Sequence, residues 1–260
     1  MDLIKSLDSN SKYEEYGNLL LERDQLIKEG GQIWTVYLQM FGQLIVDNFE
    51  EKIECIKCKK IIAYYQNALN HGGTVDSAAM QKYMDREMAD YYLNLKRMIK
   101  ENEEANQAGT SSPYEVQRAK TLYRRLAKLI HPDINPETDR SAELQELWQR
   151  ILIAYHRNGV KELAELEVLV RRVLKELGAG NERVGIPDME EKIDALKNEI
   201  EDIKRTEPYS LRRLVEDEEA AERKKGELTE ELEAYRKYRK ELNDVVLRML
   251  QGGGLKIYVQ

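Results

Sequence analysis

Two cysteines in 260 residues leave no disulfide framework. Five prolines and 15 glycines leave few places where a helix must stop. Phe and Trp occur twice each, too few for a thick aromatic core. No apolar run reaches the roughly 18 residues that a membrane helix requires, so no membrane partner is expected. The opening "MDLIKSLDSNSKYEEYG" lacks an apolar signal core, and the expected location is cytoplasmic. No stretch alternates apolar and polar residues convincingly enough for a sheet. A Gly-rich phosphate loop, a nucleophile elbow and clustered carboxylates in a pocket-forming setting are also missing. An enzyme is therefore not expected, nor is a cofactor or a metal.

What is present points to helices. Charged residues make up 34% of the chain, against about 25% in an average globular protein. Glu, Lys, Leu, Arg and Ala dominate, which suits long helices and coiled coils. The net charge of −7 and pI of about 5.3 argue against a general nucleic-acid binder. Fifteen tyrosines suit thin helical layers, with the ring buried and the hydroxyl reaching water. The expected fold is all-α and elongated.

The chain reads as three consecutive blocks. Residues 1–108 read as a three-helix bundle or coiled coil. The first helix should end at Gly30-Gly31. A second of roughly 40 residues, about 60 Å long, follows with a stripe through Ile33, Phe41, Ile53, Tyr65 and Leu69. Gly72-Gly73 should end it, and Thr74 or Asp76 can cap a third helix with Met80, Met84, Met88 and Met98 on one face. Residues 181–260 read as an antiparallel coiled-coil hairpin broken at Pro208. Ile193, Leu196, Ile200 and Ile203 form its seam. A tail, "LKIYVQ", could add a strand to something.

The middle block, residues 109–180, carries the most specific signal. Ser112 can be an N-cap, Pro113 fits the first helical position and Glu115 completes a capping box. The helix that follows is amphipathic. Its polar side holds Arg118, Lys120, Arg124, Arg125 and Lys128 against the single acid Glu115, a net +4 in an acidic protein. It stops at His131-Pro132-Asp133, where Pro132 disfavours a helical His131. "HPDINP" then reads as an extended turn stiffened by Pro136. Beyond it, Leu144, Leu147, Trp148, Ile151, Ala154 and Tyr155 line one face of a helix that ends at Asn158-Gly159. A further helix runs on to Gly178.

"YRRLAKLIHPDINP", with Trp148, Ile151 and the Ala154-Tyr155 pair after it, resembles the second helix, loop and third helix of a J-domain, the module of the DnaJ/Hsp40 co-chaperones. The resemblance covers about residues 112–157. It implies docking on an Hsp70 (DnaK in bacteria) and stimulation of its ATP hydrolysis. It implies His131, Pro132 and Asp133 as the stimulating loop, and Arg118, Arg124, Arg125 and Lys128 as the docking charges. The helical flanks would hold an unknown protein client or partner. Two features depart from the family's pattern. No Tyr-x-x-Leu-Gly-like first-helix motif precedes Ser112, and Ile134 stands where a basic residue usually follows the tripeptide.

Simpler readings stand beside these. His131 and Pro132 can be a helix stop alone. The basic face can be a solvated stripe or can pair with the chain's own acids. On that alternative the middle block is a degenerate J-like unit in a coiled-coil scaffold or complex subunit. Cys55 and Cys58 form a lone CxxC in a helical pattern, read as buried thiols unless two chains share a zinc site. The methionine row is core by its helical spacing, or an adaptable binding face. Coiled-coil seams can close within one chain or between two, so a homodimer stays open.

Overall fold

The structure is a computed structural model that describes residues 2–71, 75–109, 111–178 and 188–252. The fold is all-α, and no strand occurs among the described residues. The helices are α1 (Asp2–Asn70), α2 (Ser77–Gln107), α3 (Pro113–Ile130), α4 (Pro136–Arg140) and α5 (Ala142–His156). They are followed by α6 (Val160–Glu176), α7 (Met189–Arg205), α8 (Arg212–Glu216) and α9 (Glu218–Gly252), with a 3-10 turn at Tyr209–Leu211 before α8. No described helix is long and apolar enough to cross a membrane.

The expected break at Gly30-Gly31 does not occur, and α1 runs through both glycines. Each interior glycine costs about 1 kcal/mol of helix propensity, but packing on either side outweighs that cost. Leu26 and Ile33 are both buried. Gly30 also has a packing role, since a Cβ there would come within 3.3 Å of Pro208 Cγ. The expected stop at Gly72-Gly73, a cap from Thr74 and the tail "LKIYVQ" lie outside the described residues. Asp76 does cap α2, accepting a hydrogen bond from the Ala78 N–H at 2.9 Å.

The contacts divide the chain into two units that cut across the three consecutive blocks. One comprises residues 1–32 and 109–210, the other residues 33–108 and 211–260. Helix α1 contributes to both. The seam of α7 is closed by α1, not by a hairpin partner: Ile193, Leu196 and Ile200 bury against Tyr16, Leu20 and Leu26.

In the first unit, α3, α5 and α6 pack on one another. Their core contains Leu122, Tyr123, Leu126, Ile130, Leu144, Ile151, Leu163, Leu166 and Val170, none more than 1% exposed. The apolar positions of α3 and α5 recur every three or four residues, so each helix presents one stripe to the others.

In the second unit the cores are thin. Phe41 buries with Ala221 and Leu228, and Ile53 with Met84 and Met88. Polar groups are set between them. Asn48 donates from Nδ2 to the carbonyls of Leu44 and Leu228. Gly42 lets Asn102 approach, since a Cβ there would collide with the Asn102 side chain. Cys55 and Cys58 are buried; Cys58 Sγ donates to Asn243 Oδ1 at 3.1 Å and Cys55 Sγ faces the Tyr235 carbonyl. Burial pushes both thiols above the usual cysteine pKa.

Candidate functional site

The site forms at the turn between α3 and α4. Helix α3 begins with its capping box in place: Glu115 N–H donates to Ser112 Oγ, and Ser112 N–H donates to Glu115 Oε2. It ends at His131, whose φ of −62° and ψ of 127° are the extended backbone that a following proline imposes. The turn is closely bonded. The N–H groups of Ile134 and Asn135 both donate to the His131 carbonyl. Asn135 Nδ2 donates to the Leu129 carbonyl at 2.7 Å, while its Oδ1 caps α4 by accepting from Glu137 N–H. Thr138, fully buried, donates from Oγ1 to the Ile130 carbonyl. Nearly every backbone group of α3's last turn thus finds a partner, which a buried helix end requires.

His131 itself turns inward. It is 4% exposed, with its ring edge-on to Trp148 at 4.9 Å between centroids. Nδ1 accepts a hydrogen bond from the Asp133 N–H at 3.1 Å. On the opposite edge, Nε2 lies 3.4 Å from Arg23 Nη2 and 3.7 Å from Asp24 Oδ2. The imidazole therefore organises the turn from within. Pro132 is half-buried and Asp133 is 45% exposed, so Asp133 offers the accessible carboxylate.

Helix α1 supplies the polar support. Asp24 accepts from the Tyr123 hydroxyl on Oδ2 and from Arg23 Nε and Nη2 on Oδ1. Burial raises the Asp24 carboxyl, but contacts with His131, Tyr123 and Arg23 outweigh it and hold its pKa below the usual aspartate range. Tyr123 stacks on Tyr155 with ring centroids 4.0 Å apart. Burial, then the Asp24 charge, pushes the Tyr123 phenol well above its ordinary pKa. One turn of α1 further on, buried Lys28 lies over the Tyr155 ring at 3.8 Å and donates to Asn158 Oδ1. Burial, then the charge of Lys120, pulls its ammonium down to about 8.

The basic residues of α3 divide. Arg118, Arg124 and Lys128 are exposed. Arg125 is also exposed, but its Nη2 pairs with Glu167 Oε2 of α6 at 2.9 Å. The structure thus brings His131, Pro132 and Asp133 to one turn at the end of the helix that carries these charges. Among the described residues no three His, Cys, Asp or Glu side chains gather as a metal-binding set.

Arg23, Asp24 and Lys28 went unnoticed in the sequence. The available signal was the set of charges Glu22, Arg23, Asp24 and Lys28 interleaved with the apolar residues Leu19–Leu21 and Leu26–Ile27. Ile134 has a structural reason as well. It packs on the cluster that α1 and α7 form, where a cation would be desolvated. Comparison with models of known protein families, with curated proteins and with solved structures gave no match.

Proposed function

We propose that the first unit is a J-domain-like module that docks on an Hsp70 of the DnaK type and stimulates its ATP hydrolysis, with the rest of the chain holding a protein client or partner. The observation that carries this reading is the pairing of an exposed Asp133 carboxylate, on a turn braced from within by His131, with the exposed cations Arg118, Arg124 and Lys128 on the adjoining helix. Such a surface suits an acidic partner. Complementary charges orient a transient complex and speed its formation, and a turn already fixed by hydrogen bonds loses little freedom on docking. Arg125 contributes less, because Glu167 already takes part of its charge.

Single-turnover ATP hydrolysis by DnaK is the test, with wild type, Asp133→Asn and His131→Gln. Stimulation by the wild type that is lost in Asp133→Asn, with helicity intact, supports the reading. A folded wild-type chain that leaves hydrolysis unchanged points to the second reading, a J-like turn serving only the architecture of a helical scaffold. The near-complete burial of His131 against α1 favours that alternative.

A further inference from the structure

Three contacts tie the turn to α1. Ile134 packs on the cluster that Tyr16 and Leu20 of α1 form with Ile193 and Leu196 of α7. The Tyr13 hydroxyl donates to the Ile134 carbonyl at 3.4 Å. Arg23 Nη1 lies 3.8 Å from Asp133 Oδ2. The third contact engages the accessible group of the turn, because the carboxylate that a partner would reach already faces a guanidinium of its own chain. Arg23 is well placed to stay there. Its side chain is 19% exposed, and Nε and Nη2 are fixed on Asp24 Oδ1 at 3.1 and 2.9 Å, leaving Nη1 to face Asp133.

We propose that Arg23 is an autoinhibitory contact: it occupies the Asp133 carboxylate, and a docking partner must displace it to use that group. The proposal rests on the co-chaperone reading and adds its regulation. Distance and exposure set the strength of the effect. An ion pair at 3.8 Å with one partner 45% exposed is weak, so it acts as a brake and not a lock. A partner presenting several hydrogen-bond donors to the carboxylate would outcompete a single long contact. The half-docked Ile134 adds an apolar anchor that resists the same movement.

The experiment titrates the full chain into single-turnover DnaK reactions and reads the half-maximal concentration for wild type, Arg23→Gln, Arg23→Lys and Ile134→Ala. Circular dichroism follows folding in parallel. Arg23→Gln should lower the half-maximal concentration by about two- to fivefold, the scale of a partly exposed ion pair acting on the competent fraction. Arg23→Lys, which keeps the charge, should stay near wild type. Ile134→Ala removes the apolar anchor that resists the same movement, leaves the side-chain hydrogen bonds of the turn and Asp24 in place, and should shift the value the same way. If wild type stimulates and folded Arg23→Gln needs as much protein or more, the brake is overturned and the co-chaperone reading stands. If Arg23→Gln loses helicity, an unchanged Ile134→Ala overturns it. Silence from every folded variant overturns both.

Discussion

The two units are made of the same kind of element and held together differently. In the first, three helices of ordinary length share a continuous apolar core, and the polar groups of α1 close over one end of it. In the second, long helices meet along narrow seams, and buried polar side chains such as Asn48 and Asn102 interrupt the apolar contacts. A continuous core stabilises through area removed from water. A thin seam gains less of that, and its polar groups restrict which alignments satisfy their hydrogen bonds. The first unit is thus built to hold a turn in one shape, the second to hold long helices in one register.

Core truncation should separate them most. Leu126 is fully buried among α3, α5 and α6, and Leu126→Ala should cost about 3–4 kcal/mol. Leu228 stands in a small cluster with Phe41 and Ala221, where neighbours can close the gap, so Leu228→Ala should cost about 2 kcal/mol. Denaturant titration with amide exchange read separately in each unit would measure both. Equal losses would break the contrast.

Buried charge is the next difference. Lys28 is 2% exposed, with an amide and a ring for partners. Folded, its pKa falls from 10.5 to about 8. Between those values the unfolded chain holds the proton and the folded chain releases it, so this group's contribution to stability rises with pH through that window and is flat below it. Lys28→Met removes the desolvated charge and should stabilise the first unit by about 1–2 kcal/mol at neutral pH. The stability curves of wild type and Lys28→Met should then converge as pH climbs from 8 towards 10. Curves that stay parallel would mean that Lys28 is solvated.

How much of this could be read beforehand follows from the range of each interaction. The cap at Ser112, the stop at His131 and the packed face of α5 depend on neighbours three or four residues away, and the sequence displays them. Gly30 and Gly31 misled because local propensity favours a break, whereas Leu26, Ile33 and Pro208 decide otherwise through tertiary packing. The α7 seam was legible as a seam, but its heptads do not name the partner, and α1 proved to be the one that fills it. In the site, the turn and its charges were visible. Arg23 and Asp24 were not, since they meet His131 across more than a hundred residues of sequence.

Register in the second unit gives a smaller effect. Asn48 satisfies the carbonyls of Leu44 and Leu228, while its own Oδ1 finds no hydrogen-bond partner. Asn48→Leu should leave stability unchanged or raise it by about 1 kcal/mol. It should also broaden the population of helix alignments, visible as mixed oligomers by light scattering or as multiplied amide signals. A uniform species at unchanged stability would remove the register role assigned to Asn48.

Surface ion pairs should separate the units least. On α9, Arg223 pairs with Glu219 at 3.0 Å, with side chains 61% and 85% exposed. Solvent screens such a pair, and Arg223→Ala should cost at most about 0.5 kcal/mol. In the first unit Glu167 is only 13% exposed and takes both Arg125 and Arg171 at 2.9 Å. Arg125→Ala leaves Arg171 on the same carboxylate, so its cost should also stay below about 1 kcal/mol. The double substitution Arg125→Ala with Arg171→Ala removes both partners and strands a shielded carboxylate. A loss in the double variant greater than the sum of the two single losses is the expected sign of that shared partner. Strict additivity, measured by denaturant midpoints, would place Glu167 in solvent and erase even this difference between the two surfaces.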